Sequence, residues 1–412
     1  MNRLYKLQKQ IHTVSKQQSI IINQFESLKG FEIQLNSKVN PLTAEIKTSI
    51  LDNILNKIDE HDKNILLIKS NNPEFFSAGG DGKNIFNAIN KKNFKLLQEY
   101  KQLLLSFQLK MLQFNLNPNN LSLVNLQGQT IGGGYSFIAH SKYRLCDDTT
   151  QIYFPESRNG ILMNQLYFFA QLPHNIGLYL LLTNQKVIGK ENVEFGLADY
   201  YFDSNESLNN FYDKMVEILD SKEFNYNNNE FILEILQKQN VLSKEETQSQ
   251  KSQKIEWIQS LFDFPDYQDF FENLHSVINN CEDADFRNFT IEVKESIEKS
   301  APVAVRLHHK LFWEAKNYIN KFNQSHDNNP QSYYEMALNF TQKEFQQIIK
   351  HQILESEFVE GFGSVVINKK KAPIFKYAQA LDVPESVLND ITEGYGDDPR
   401  VADLAEFDKS NL

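Results

Sequence analysis

Two glycine-containing stretches concentrate the backbone features that could do chemistry: "FFSAGGDGKN" at residues 75–84 and "QGQTIGGGYSFIAHS" at residues 127–141. Both stand at the ends of segments that read as strands, and the second opens a helical segment. Glycine there allows a tight turn and presents main-chain N–H groups with no Cβ in front of them. A strand, glycine, helix order can bind phosphate at the helix N-terminus. However, the second cluster lacks G-x-G-x-x-G spacing and a following Lys-Ser or Lys-Thr, so nucleotide-binding patterns fail. Two such turns could instead aim two amides at one oxygen. That arrangement is an oxyanion hole, which stabilises negative charge developing on a carbonyl.

The elements that must hold these turns alternate in type. "GFEIQL" and "NILLIKS" read as strands, separated by a helix over about residues 42–60 that Pro41 introduces. "LSLVNLQG", "YRLCDD" and "QIYFPE" read as further short strands. Strand, helix, strand repetition predicts α/β layering. Residues 165–203 read as mostly helical, with "LYLLLTNQ" as an apolar helix and another from about 190. "NESLNN", "NYNNNE" and "KQNVLSKEETQSQKSQK" show little apolar periodicity and read as surface loops or exposed connections. From Ile255 to about 356 the chain reads as helical, interrupted at Pro302.

The chain has 412 residues, 41% of them hydrophobic, including 31 Phe, which suffices for a substantial core. No uninterrupted apolar run reaches the length of about 18 residues that a membrane-spanning helix needs. A net charge of −11 argues against extensive direct nucleic-acid binding, which requires clustered Lys and Arg. Two cysteines, Cys146 and Cys281, can make neither a disulfide framework nor a cysteine-based zinc site, and they read as small core residues. Residues 1–24 carry Arg3, Lys6, Lys9 and Lys16 with no acid, and Leu4, Leu7 and Ile11 share one helical face, which reads as a mitochondrial targeting helix. His308 and His309 read as solvated or capping residues that face apart on a helix, so no metal site is expected. His140 reads as packed or surface. Lys369, Lys370 and Lys371 read as a solvated hairpin turn, and residues 391–412 as an acidic tail.

Three motifs carry a family resemblance. Phe76-Ser77-Ala78-Gly79-Gly80-Asp81 is similar to a family F-C-A-G-G-D. Gln127-Gly128-Gln129-Thr130-Ile131-Gly132-Gly133-Gly134 is similar to H-G-x-T-M-G-G-G. Phe154-Pro155-Glu156, continuing to Asn164, is similar to M-P-E-T-x-I-G-L-F-P-D. With "KSAPVAVRL" and the late "EFVEGFGSVVINKKKAPIF", the chain resembles the crotonase (enoyl-CoA hydratase/isomerase) superfamily from about residue 25 to 390. Within it, the late motif resembles the 3-hydroxyisobutyryl-CoA hydrolase family. The resemblance implies an α/β, crotonase-like spiral of repeated ββα units with a helical C-terminal region. Its segments are a core over 25–203, a helical region over 204–390 and the tail. It implies that the Gly80 and Gly133 amides form the oxyanion hole and that Glu156 and Asn164 occupy the catalytic positions. Glu99, Ala78 and Asp81 would contact substrate.

The implied substrate is a short 3-hydroxyacyl-CoA thioester of valine breakdown in the mitochondrial matrix. No cofactor is implied beyond the CoA of the substrate. Asn164 stands where the family has Asp, and an amide keeps the shape but cannot take a proton. Gly82 replaces a family Ile, and Glu360-Gly361-Phe362-Gly363 replaces E-G-V-R. Such departures also fit a catalytically weakened structural subunit of a mitochondrial assembly. The mitochondrial ribosomal small subunit, where relatives of this hydrolase family occur, leads among such partners.

Overall fold

A computed structural model describes residues 19–25, 30–57, 64–221, 230–237, 239, 241–248, 251–325, 329–354, 357–369 and 372–393. The described residues divide into two compact units, each discontinuous in sequence. The first draws on Met1–Gly80, Phe107–Ile152 and Val187–Gln250, and the second on Asp81–Ser106, Tyr153–Lys186 and Lys251–Leu412.

The first unit is built on sheets. Its strands are β1 Ile20–Gln24, β2 Gly30–Leu35, β3 Ile65–Ser70, β4 Phe75–Ser77, β5 Leu121–Asn125, β6 Gln129–Ile131, β7 Tyr143–Cys146, β8 Gln151–Tyr153, β9 Val187–Ile188, β10 Tyr200–Tyr201 and β11 Leu242–Ser243. Seven make one sheet in the order β1-β2-β3-β5-β7-β10-β11, and four make another in the order β4-β6-β8-β9. From β2 to β10 the larger sheet is parallel, and antiparallel β1 and β11 close its two edges. Every residue of β5 is buried, Ser122 and Asn125 included, as a strand covered on both faces requires. Leu67, Leu123 and Leu145 pack there against Leu208, Phe211, Tyr212 and Met215.

Those last four lie on a helix over Asn205–Asp220 that begins at "NESLNN", a segment expected to be a surface loop or an exposed helix connection. The Ser204 hydroxyl caps it by accepting the Ser207 N–H at 3.2 Å, and the apolar spacing starts only at Leu208. Ile20–Gln24, within the segment read as targeting, is the edge strand β1, while residues 1–18 lie outside the described residues. "NYNNNE" and the acidic tail from 394 onward lie largely or wholly outside them too.

The second unit is helical. Its long members are Gln253–Phe262, Tyr267–Asn280, Ala284–Glu298, Pro302–Gln324 and Pro330–Leu354, followed by Glu357–Phe362. Pro302 starts its helix rather than breaking it, since a first-turn position needs no N–H donor. Among the described residues no helix is long and apolar enough to cross a membrane.

Candidate functional site

In the sheet unit, parallel pairing brings the two glycine clusters together. Phe75 pairs with Gln129 and Ser77 with Thr130, so the turns that follow β4 and β6 emerge at the same sheet end. Gly79 sits at φ +93°, and a Cβ on it would lie 2.8 Å from the Ile131 carbonyl oxygen. A Cβ on Gly133 would lie 3.3 Å from the Gly80 nitrogen. The backbones of Gly80 and Gly133 therefore adjoin, with little room for a Cβ at 133. Gly133 also begins the short Gly133–Ser136 helix, whose first N–H has no acceptor within the helix.

Side chains hold both turns in place. Buried Asn40 donates to the Ser70 Oγ at 2.7 Å and the Phe75 carbonyl at 3.0 Å, and its own carbonyl accepts the Ser77 hydroxyl at 2.8 Å. Ala78, half-buried, donates its N–H to the Val39 carbonyl at 2.8 Å. Beyond the second turn, the Tyr135 hydroxyl donates to the Leu197 carbonyl at 2.9 Å and accepts from Arg144 at 2.7 Å. Arg144 reaches both Asp199 carboxylate oxygens, at 2.9 and 2.8 Å. This bidentate, buried pair locks the strand behind the glycine triplet.

In the helical unit, Glu156 opens the Glu156–Asn159 helix just after Pro155. Sequence reasoning missed its neighbour. Lys101, on the helix over Phe94–Leu116, is only 4% exposed and faces Glu156. Burial pulls its ammonium down from 10.5 to about 8, against the opposing pull of the Glu156 carboxylate. Glu99, two positions earlier, is exposed, whereas Leu97, Tyr100 and Lys101 turn inward. Helical steps of about 100° separate these faces. The signal available in sequence was a lone Lys on the apolar side of that helix.

Asp81 caps the Gly82–Asn90 helix through the Asn84 N–H at 3.2 Å, and its own N–H donates to the Tyr100 hydroxyl at 2.7 Å. Asn164 is buried. The next two amides, Gln165 and Leu166, donate to the Glu344 carboxylate at 3.0 and 2.7 Å. Burial raises that carboxyl to about 8, in opposition to those two bonds.

The late motif supports the carboxylate segment through its backbone. Gly160 adopts φ +67°, and a Cβ there would overlap the Glu357 main chain, while a Cβ on Gly361 would lie 2.7 Å from the Asn159 carbonyl. Glu357 in turn accepts the Val303 and Ala304 N–H groups at 2.8 and 2.9 Å, capping the Pro302–Gln324 helix. The expectation of solvated histidines is corrected here. That helix is enclosed over a wide arc, so His308 and His309 are both buried and bonded in different directions. His309 meets the Phe264 carbonyl at 3.0 Å, and His308 meets Ser157 and Met163 at 2.8 Å each. Lys369 ends a helical turn in left-handed conformation, and Lys370 and Lys371 lie outside the described residues.

A largely parallel sheet, paired glycine turns meeting at one sheet end and a helical C-terminal region define the crotonase type of α/β fold. The chain belongs to the enoyl-CoA hydratase/isomerase family, whose model matches residues 30–392. It is 23% identical over 360 residues to "3-hydroxyisobutyryl-CoA hydrolase, mitochondrial" of Danio rerio, covering 85% of this chain and 83% of that protein. It is 25% identical over 194 residues to "Small ribosomal subunit protein mS47" of Neurospora crassa, covering 45% of this chain and 37% of that one. The chain spans half or less of the length of the first curated relatives it matches. A solved carnitinyl-CoA dehydratase from Mycobacterium thermoresistibile shares the fold, with a TM-score of 0.69 at 17% identity over 93% of this chain and 98% of that one.

Proposed function

We propose that this chain is a mitochondrial matrix acyl-CoA thioester hydrolase acting on 3-hydroxyisobutyryl-CoA. The meeting of Gly80 with Gly133 is the observation that carries the reading. Their amides would bind the thioester oxygen and favour the charge it gains as the carbonyl carbon is attacked. One such donor is worth on the order of 3 kcal/mol of transition-state stabilisation. Glu156 is the group that attacks the thioester carbon or activates water to do so. Lys101, its ammonium lowered to about 8 by burial against the pull of the Glu156 carboxylate, sets a positive charge facing that group. Asn164 takes the second catalytic position, and Ala78, Asp81 and Glu99 make the proposed substrate contacts, Glu99 from an exposed position. CoA enters as part of the substrate, and no metal or redox group is invoked.

CoA release from 3-hydroxyisobutyryl-CoA by the full chain tests this, beside a Glu156→Gln variant. Turnover that falls sharply in the variant supports the proposal, and equal, negligible rates end it. A second reading is favoured by two observations: the match to mS47 and the neutral Asn164 at an acid position. It makes the chain a structural subunit of the mitochondrial ribosomal small subunit, docking through protein contacts given its charge of −11. Co-sedimentation with mitochondrial ribosomes without thioesterase activity would favour it, and turnover with no ribosome association would exclude it.

A further inference from the structure

We propose that His308 positions Glu156 and Asn164 by clamping both ends of the segment that joins them, an inference that rests on reading those two as the reacting groups. The imidazole is fully buried on the Pro302–Gln324 helix. Its Nδ1 lies 2.8 Å from the Ser157 Oγ, and its Nε2 accepts the Met163 N–H at 2.8 Å. Ser157 follows Glu156 and Met163 precedes Asn164. One rigid ring therefore bridges the Ser157 hydroxyl and the Met163 main chain, the residues next to both groups.

The bonding pattern fixes the form of the ring. A backbone N–H can only donate, so Nε2 carries no proton and the neutral ring holds its proton on Nδ1. That N–H donates to Ser157, and the serine hydroxyl donates onward to the Leu181 carbonyl at 2.6 Å. Burial, assisted by His351 and opposed by a hydrogen bond to the Ala304 backbone, lowers the ring pKa to about 3, which keeps Nε2 an acceptor through the physiological range. The helix bearing His308 is tied to the same segment independently, since the Ala301 N–H donates to the Ser157 carbonyl at 2.9 Å. A residue that merely filled space would use neither ring nitrogen.

Three measurements on the full chain test the clamp. Nitrogen-15 NMR of the histidine rings should place the His308 proton on Nδ1, and a proton on Nε2 overturns the proposal. Titration of Lys101 by NMR should then separate His308→Asn from His308→Gln. The Asn amide matches the Nδ1 end and keeps the Ser157 anchor, while the Gln amide matches the Nε2 end and keeps only Met163. Because the Glu156 charge raises the Lys101 pKa, the Gln variant should titrate below the wild-type value of about 8 and the Asn variant near it. Identical Lys101 midpoints in the two folded variants would refute positioning. If either variant fails to fold, the wild-type tautomer decides. With thioester substrate, His308→Gln should lower kcat by about 100-fold and leave KM within about twofold. Absence of turnover in the wild type would sink the functional reading, while the tautomer and the Lys101 titration would still decide the clamp.

Discussion

Replacing Lys101 by Met removes a buried cation whose energetic effect can be worked out. Its pKa falls from 10.5 to about 8 in the folded chain. At about 1.4 kcal/mol per pH unit, that difference corresponds to about 3 kcal/mol by which the charged form disfavours folding. The sign follows from the proton balance. Between about 8 and 10.5 the unfolded chain binds the lysine proton and the folded chain has released it. Stability from this group is therefore full above 10.5 and lost as pH drops through about 8. Lys101→Met should thus be more stable than wild type by about 3 kcal/mol at neutral pH, beyond any constant packing difference, with the gap closing towards pH 10.5. Urea unfolding of both proteins at several pH values measures it, and Lys142, also lowered to about 8, cancels because both proteins carry it. Glu156→Gln withdraws the charge that supports the ammonium, so it should move the window to lower pH. A stability difference that stays constant across this pH range would refute both the burial of charge and its link to Glu156.

Gly160→Ala should destabilise the chain by at least about 2 kcal/mol in urea unfolding, since it combines a left-handed φ with overlap onto the Glu357 main chain. A Cβ on Gly82 would lie 2.6 Å from the Phe362 ring, so Gly82→Val should destabilise by about 1–3 kcal/mol, and adding Phe362→Val should recover most of the loss. Glu344 has its carboxyl raised from 4.5 to about 8, so its contribution is full below 4.5 and lost as pH rises through about 8. Glu344→Gln should flatten that decline in pH-dependent thermal unfolding, and an unchanged pH profile would count against the protonated, buried carboxyl.

What could be read in advance depended on the length over which a residue pattern acts. The strands "GFEIQL", "NILLIKS" and "LSLVN" announce themselves as short segments rich in apolar residues, and in the second a parallel sheet buries the whole run Ile65–Ile68. β4 and β6, three residues each, are too short for any periodicity, and only the glycines after them marked the place. The Asn205–Asp220 helix hid behind a polar first turn whose residues are there for capping and exposure. His308 and Lys101 were illegible for a different reason. Polar residues usually face water, and whether one is buried depends on what other segments do around it. Ser157, Met163 and Glu156 lie far from them in sequence and supply what makes that burial tolerable.

The departures from the family pattern also change meaning once packing is known. Gly82 in place of Ile and Phe362 in the late motif look like separate losses in sequence, yet they form one exchange. The aromatic ring fills the space that a side chain at 82 would take, and it stacks further on Phe358 at 5.0 Å and approaches Phe86 at 6.0 Å. A compensated exchange of volume conserves the core and says nothing about turnover. Asn164 is different, because it alters proton capacity rather than volume. An amide at 164 removes a titratable group from the segment after Glu156, the carboxylate that the buried Lys101 ammonium faces. On the proposed thioesterase reading, the open step is whether a lysine whose pKa is near 8 handles the proton that Asn164 cannot. Lys101→Met separates the two outcomes, because it should abolish CoA release while raising stability if the lysine serves catalysis, and raise stability alone if it does not.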